Sequence, residues 1–258
     1  MEDVDDLSPE RRRDRLKRYA RKAVSVPLSV RTSDLPKRSA SAVVMLLVAG
    51  LAVWAGGMAR DGFFIIVGLA CLGEMTRLVL RAAPGALAKT IGIGFGALYI
   101  GIAVYLLTRI DSLAVLALLF GAVICVDTFA YFFGRTIGGP KIAPAISPSK
   151  TWAGLFGGAV GAFVALAAFT FLQAWGEPEL GPRLGSYLML IVPGVVLAVV
   201  AQAGDFFESW LKRKAGMKDS SNLIPGHGGV FDRIDGLIPV TILVGGVLIT
   251  QYPHWLNG

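Results

Sequence analysis

The sequence predicts an all-α, polytopic integral membrane helix bundle of about seven transmembrane helices, with long polar loops on the cytoplasmic side. Three observations predict it. The 258 residues are 54% apolar and only 17% charged, whereas soluble domains run about 45–50% apolar and about 25% charged. Seven apolar stretches approach the ~20 residues that a helix needs to cross the hydrocarbon core. The basic residues are heavily biased to one set of connections. Disorder, collagen-like repetition and a small disulfide scaffold are excluded, because the 32 Gly and 13 Pro follow no period and there are only two Cys. Cys71 and Cys125 both lie in apolar runs and read as packing residues.

A polar tail, residues 1–38, precedes a transmembrane unit, residues 39–258. The tail is acidic from Met1 to Glu10 and basic from Arg11 to Lys22. No apolar stretch follows directly behind the basic residues, as a cleaved signal peptide requires. The tail reads as a solvated or surface-lying segment, drawn to anionic headgroups by about 1 kcal/mol per basic residue near the surface. The formal charge of +7 does not indicate nucleic acid. Of the 25 Lys and Arg, 11 precede residue 39 among seven acids, and no aromatics interleave them as in a base-stacking surface.

The apolar stretches are Ala40–Ala59, Gly62–Leu80, Ala88–Leu107, Ser112–Phe133, Trp152–Trp175, Tyr187–Phe207 and Ile234–Tyr252. Gly recurs inside them, as at Gly92, Gly94, Gly96, Gly157 and Gly158, which suits close helix contact in lipid. With the tail and the even-numbered loops on one side, 22 of the 25 Lys and Arg fall there; Arg60, Arg109 and Arg183 fall opposite. The positive-inside rule then places the tail in the cytoplasm and the C-terminus outside.

Carboxylates within or at the ends of membrane helices are costly and default to functional candidates. Asp127 follows Asp111 by sixteen residues in the fourth stretch, about 24 Å along a helix, near the cytoplasmic end. Asp205 and Glu208 are three apart at the same end of the sixth stretch, on one helix face. Asp232 and Asp235 repeat the spacing where the seventh begins. All these acids are expected at one depth on one side. Glu74, three residues before Arg77, reads as an internal ion pair and is left out of the candidate set.

Two loops carry groups suited to phosphate. One runs from Gly134 through Gly138, Gly139 and Lys141 to Ser147, Ser149, Lys150 and Thr151. The other holds Lys212, Arg213, Lys214, Lys218, the Pro225-Gly-His-Gly-Gly229 segment and Arg233. Gly pairs let backbone amides approach an anion, and carboxylates beside cations and hydroxyls imply a ligand bearing both phosphate and a divalent metal. Taken singly, a helix-end acid often only touches water or a helix N-terminus. A Gly-rich loop is often only a turn, and a lone His such as His227 is often structural. Their joint presence over residues 204–235 is harder to explain in that way.

The stretch Ser209-Trp-Leu-Lys-Arg213, Lys218-Asp219-Ser220, Leu223-Ile-Pro-Gly-His-Gly-Gly-Val230, Asp232-Arg-Ile-Asp235 resembles the signature of the phosphatidate cytidylyltransferase (CDP-diacylglycerol synthase) family. Gly204-Asp205-Phe-Phe-Glu-Ser209, Asp127-Thr-Phe-Ala-Tyr131 and Ile146-Ser-Pro-Ser-Lys-Thr151 resemble further motifs of that family in the expected order. The resemblance covers residues 125–236; the first hundred residues share only hydropathy. The chain departs from the pattern at Ala153, near which an acid is usual, and at Phe129, where a small residue is commoner.

The resemblance implies catalytic cytoplasmic loops that transfer a cytidylyl group from CTP to phosphatidic acid. The products would be CDP-diacylglycerol and pyrophosphate, with Mg2+ or another divalent cation as cofactor and a second cation as a further option. It implies Asp205 and Asp232 as metal ligands, with Asp127 and Asp235 as further ligands or supports. Lys150, Lys212, Arg213, Lys218 and Arg233 become candidates for the triphosphate and lipid phosphate. Ser147, Ser149 and Thr151 are candidate donors to phosphate oxygens, as are the amides around Gly228 and Gly229, and His227 is a candidate hydrogen-bond donor to phosphate. The bilayer is the expected setting, a bacterial inner membrane the expected location, and a homodimer the family's expectation. The rival readings are a CTP-dependent kinase of a lipid alcohol, which needs a base such as His227 to deprotonate its acceptor, and an ion-coupled transporter.

Overall fold

A computed structural model describes residues 35–174, 184–224, 226 and 228–251. Nearly all of the expected tail, and His227, lie outside the described residues. The chain runs α1 (Leu35–Ala55), α2 (Gly57–Ala82), α3 (Ala86–Arg109), α4 (Leu113–Thr136), β1 (Lys141–Ala143), β2 (Ser147–Thr151), α5 (Trp152–Gln173), α6 (Leu184–Met189), α7 (Ile191–Lys214), α8 (Phe231–Ile234) and α9 (Leu237–Gln251).

Long apolar runs make these segments helical, because a backbone in lipid must satisfy its own hydrogen bonds. Their ends follow local chemistry. Ser112 caps α4 by accepting from the Val115 amide at 3.4 Å, and Thr151 caps α5 by accepting from the Gly154 amide at 3.0 Å. Gly56 and Gly57, at φ +64° and +49°, allow the abrupt turn from α1 into α2.

The helical membrane bundle is as expected, but the number of spans is not confirmed at seven. Among the described residues, five segments are long and apolar enough to cross: Gly57–Ala82, Ala86–Arg109, Leu113–Thr136, Trp152–Gln173 and Leu184–Lys214. The first apolar stretch lies in α1, whose fully described portion is Val43–Ala55, and the last forms the short helix Leu237–Gln251. At 1.5 Å per residue the latter reaches only about 22 Å. The sixth span extends beyond its expected end to Lys214, so its last turn carries Lys212, Arg213 and Lys214.

Helix α4 packs most extensively against α5, α5 against α7, and α2 against α3. Small residues permit the closest of these contacts. A Cβ at Gly161 would strike the Cys125 carbonyl, and one at Gly157 would lie 2.6 Å from the Phe133 ring; α4 and α5 therefore meet backbone to backbone. One apolar core, with Leu116, Leu119, Val126, Ala162, Ala198 and Val240, joins α4, α5, α7 and α9. A second, with Cys71, Met75, Leu78, Ile100, Phe231 and Ile238, joins α2, α3, α8 and α9. Both cysteines are free, as expected. Leu46, Ile66, Ile91, Phe156 and Val192 are exposed on the outside, where acyl chains would replace water. At one end Arg60, 4% exposed, donates to the Ile110 carbonyl at 2.9 Å and pairs with Asp111 at 2.8 Å, tying α2 to the α3–α4 turn.

Candidate active site

Helix periodicity assembles one wall of a cavity of about 520 Å³. Asp127, Ala130, Tyr131 and Gly134 line it from α4, at the i, i+3, i+4, i+7 spacing of a single helix face. Gln202 and Asp205 line it from α7, with Asp232 and Asp235 flanking it from the α8 region. Lys141, Ser149, Lys150 and Thr151 come from the segment between α4 and α5. That segment, expected as a loop, is an antiparallel hairpin in which Lys141 pairs with Thr151 and Ala143 with Ser147. The hairpin holds Lys150 over the helix ends.

The four aspartates expected to meet, 127, 205, 232 and 235, do share this cavity. Lys150 forms an ion pair with Asp205. Burial works against the Lys150 charge, yet Asp205, with Asp127 and Asp235, holds its ammonium above the usual lysine range. Lys212 bridges Glu208 at 2.6 Å and Asp232 at 2.7 Å. Burial opposes ionisation of Asp232, but hydrogen bonds with Glu208, with Lys212 and with the Gly229 and Ser220 amides hold its carboxyl well below the usual carboxylate range. Those amides reach Asp232 Oδ2 at 2.8 and 3.0 Å. Arg233 and Lys150 add positive potential at Asp127.

Gly228, at φ +83°, has no room for a side chain, since a Cβ would lie 2.8 Å from Asp232 Oδ2. Its carbonyl accepts from the Ile224 amide at 2.8 Å, closing the signature loop. The Gly228–Gly229 amides were expected to face phosphate. The Gly229 amide instead donates to Asp232. The Thr151 hydroxyl is first a helix cap. Ser147 Oγ lies 3.4 Å from Ser149 Oγ, and Arg213 Nε donates to the Ile146 carbonyl at 3.4 Å. Ser147, Lys212, Arg213, Lys218, Gly228, Gly229 and Arg233 are not part of the cavity lining, and His227 lies outside the described residues.

Glu74 is the principal correction. It does not pair with Arg77. Its carboxylate accepts from Ser220 Oγ at 2.9 Å, Ser221 Oγ at 2.5 Å, and the Val230 and Phe231 amides at 3.0 and 2.7 Å. The sequence offered one usable signal, an acid inside an apolar helix, but a neighbouring cation three residues on masked it. Gln202, 3% exposed on the cavity wall, was also missed. Neither of its amide atoms, nor Glu208 Oε1, has a hydrogen-bond partner among the described residues.

Among the described residues no three Asp, Glu, His or Cys groups converge closely enough to hold a metal ion by themselves. The donor chemistry nevertheless fits Mg2+. That ion takes hard oxygen ligands, keeps several waters, and is usually held by one or two carboxylates together with substrate phosphates. The unpartnered amide atoms of Gln202, which lines the cavity, are further polar groups that a hydrated cation and its phosphates would satisfy.

The fold and cavity define a polytopic membrane protein whose helix ends gather acids and cations around one cavity. Residues 80–250 match the cytidylyltransferase family. A Brucella abortus protein named phosphatidate cytidylyltransferase is 33% identical over 267 aligned positions, covering 82% of this chain and 92% of its own length. Proteins of the same name from Rickettsia typhi and Rickettsia felis are 36% and 37% identical, over 72% and 67% of this chain and 79% and 74% of their own lengths. The chain belongs to the cytidylyltransferase family.

Proposed function

We propose that the protein is a phosphatidate cytidylyltransferase, converting CTP and phosphatidic acid to CDP-diacylglycerol and pyrophosphate in a bacterial inner membrane, with the cavity facing the cytoplasm. The observation that carries this reading is the meeting of Asp127, Asp205, Asp232 and Asp235 with Arg135, Lys141 and Lys150 around one cavity at the end of apolar helices. The named relatives support it.

An oxygen of the lipid phosphate attacks the α-phosphorus of CTP, and the bond from that phosphorus to the bridging oxygen breaks. Pyrophosphate leaves with the electron pair. The attacking phosphomonoester has a second pKa near 6, so it arrives largely ionised and no side chain has to remove a proton. The difficulty is electrostatic, because two anions must approach each other. Lys150, Arg135 and Lys141 suit the triphosphate and the lipid head, and Asp205 and Asp232 are the carboxylates we assign to Mg2+. When bound, the ion would neutralise charge developing on the leaving pyrophosphate. Lys212 holds Asp232 and Glu208 together beside that position. The lipid would enter sideways between helices, leaving its acyl chains in the bilayer.

The test supplies purified protein and phosphatidic acid micelles with CTP labelled at either the α- or the γ-phosphorus. Cytidylyl transfer puts only the α label into lipid. Label from the γ position alone would assign the lipid-alcohol kinase chemistry instead, and metal-dependent ion flux without CTP turnover would assign a transporter.

A further inference from the structure

We infer that Glu74 is the positioning residue for Asp232: from a different helix it clasps both ends of the signature loop and so fixes the carboxylate placed at the reacting centre. This rests on the proposed cytidylyl transfer.

Glu74 lies on α2, 6% exposed, more than 140 residues before the loop it holds. Its two oxygens divide the work symmetrically. Oε2 accepts from Ser220 Oγ at 2.9 Å and the Phe231 amide at 2.7 Å; Oε1 accepts from Ser221 Oγ at 2.5 Å and the Val230 amide at 3.0 Å. Each oxygen therefore spans the loop from its beginning to its end. Ser220 Oγ also lies 3.0 Å from Asp232 Oδ2, and Ser220 and Gly229 both give their amides to that same oxygen. The amides that orient Asp232 are thus carried by residues that Glu74 holds in place or touches. Gly229 must be glycine for this packing, since a Cβ there would meet Ser220 Oγ and lie 2.7 Å from Glu74 Oε1.

A purely structural carboxylate would need only to satisfy the buried amides. The shared Ser220 hydroxyl makes Glu74 part of the support of Asp232. An amide at this position presents an N–H₂ group where the carboxylate had a second acceptor, facing a backbone N–H and a hydroxyl. Half of the clasp then opens while the volume is kept.

The experiment compares wild type, Glu74→Gln, Ser220→Ala and the double variant in detergent. Hydrogen–deuterium exchange is read without nucleotide or metal, and steady-state kinetics are read with Mg2+, CTP and phosphatidic acid. The expected result for Glu74→Gln is at least tenfold faster exchange in peptides covering 219–231, with the 141–151 hairpin unchanged. The half-saturating Mg2+ concentration should rise about 10–100-fold, as for other residues that orient a ligand, while the KM for phosphatidic acid stays within about twofold. The double variant should be no worse than the poorer single variant. Unchanged loop exchange, or an unaltered half-saturating Mg2+ concentration in protein whose hairpin exchange shows it to be folded, overturns the inference; a loss of folded protein instead speeds exchange in the hairpin as well. Should Glu74→Gln fail to fold, Ser221→Ala, which removes one of the four contacts, carries the same readouts with smaller shifts. If wild type itself transfers no α label, the reaction is wrong and the exchange data still decide the clasp.

Discussion

Lys212 and Asp232 form an ion pair at 2.7 Å that fastens the last turn of α7 to α8. The same ammonium holds Glu208 at 2.6 Å, so one cation bridges two buried acids. Asp232 and Glu208 are 6% and 2% exposed at their side chains, which leaves little water to screen them if the lysine is lost.

Lys212→Met is expected to destabilise the protein by about 3–5 kcal/mol, the usual consequence of removing one partner of a buried pair. Thermal unfolding in detergent measures this. Adding Asp232→Asn to the variant should recover part of the loss, and no recovery would mean that the unpaired Asp232 charge is not the cause.

Asp232→Asn keeps the shape of the side chain and removes its charge. Cytidylyl transfer should fall by about 10²–10³-fold, with insertion and helix content unchanged by circular dichroism. Full turnover would take Asp232 out of the catalytic set.

Chelation separates a metal-dependent site from one that works through lysine and arginine alone. Turnover should vanish in excess EDTA and return on adding Mg2+. Undiminished turnover in EDTA would leave the aspartates without the role proposed for them.

Gly161→Val should force α4 away from α5, since its first added carbon already collides with the Cys125 carbonyl. Overpacking of this kind costs about 1–3 kcal/mol, read as a lower unfolding temperature together with weaker CTP binding. Gly121→Ala on α4, where nothing lies within 4 Å of the added carbon, should change neither.

What the sequence made legible was governed by local rules. Apolar run length located the helices, and acids three apart, such as Asp205 and Glu208, identified one helix face. Depth along a helix brought Asp127 level with them. The parts that were missed depend on distant partners. Leu237–Gln251 has the hydropathy of a span but, as described, runs for only 15 residues. The 141–151 hairpin has Pro148 in one strand and no regular alternation, so pairing of Lys141 with Thr151 gave no local signal. Glu74 was misread because Arg77 is near in sequence, whereas its partners Ser220, Ser221, Val230 and Phe231 lie on the far side of the chain. Gln202 sits one turn from Asp205 and carries no charge to draw attention to it.

The glycines between α4 and α5 set a scale for the chamber. Where two helices touch through main-chain atoms, their separation is measured in peptide groups, and no rotamer change can widen or narrow it. Asp127 on one of these rods and the Thr151 cap of the other thus keep a gauge that side-chain motion does not reset.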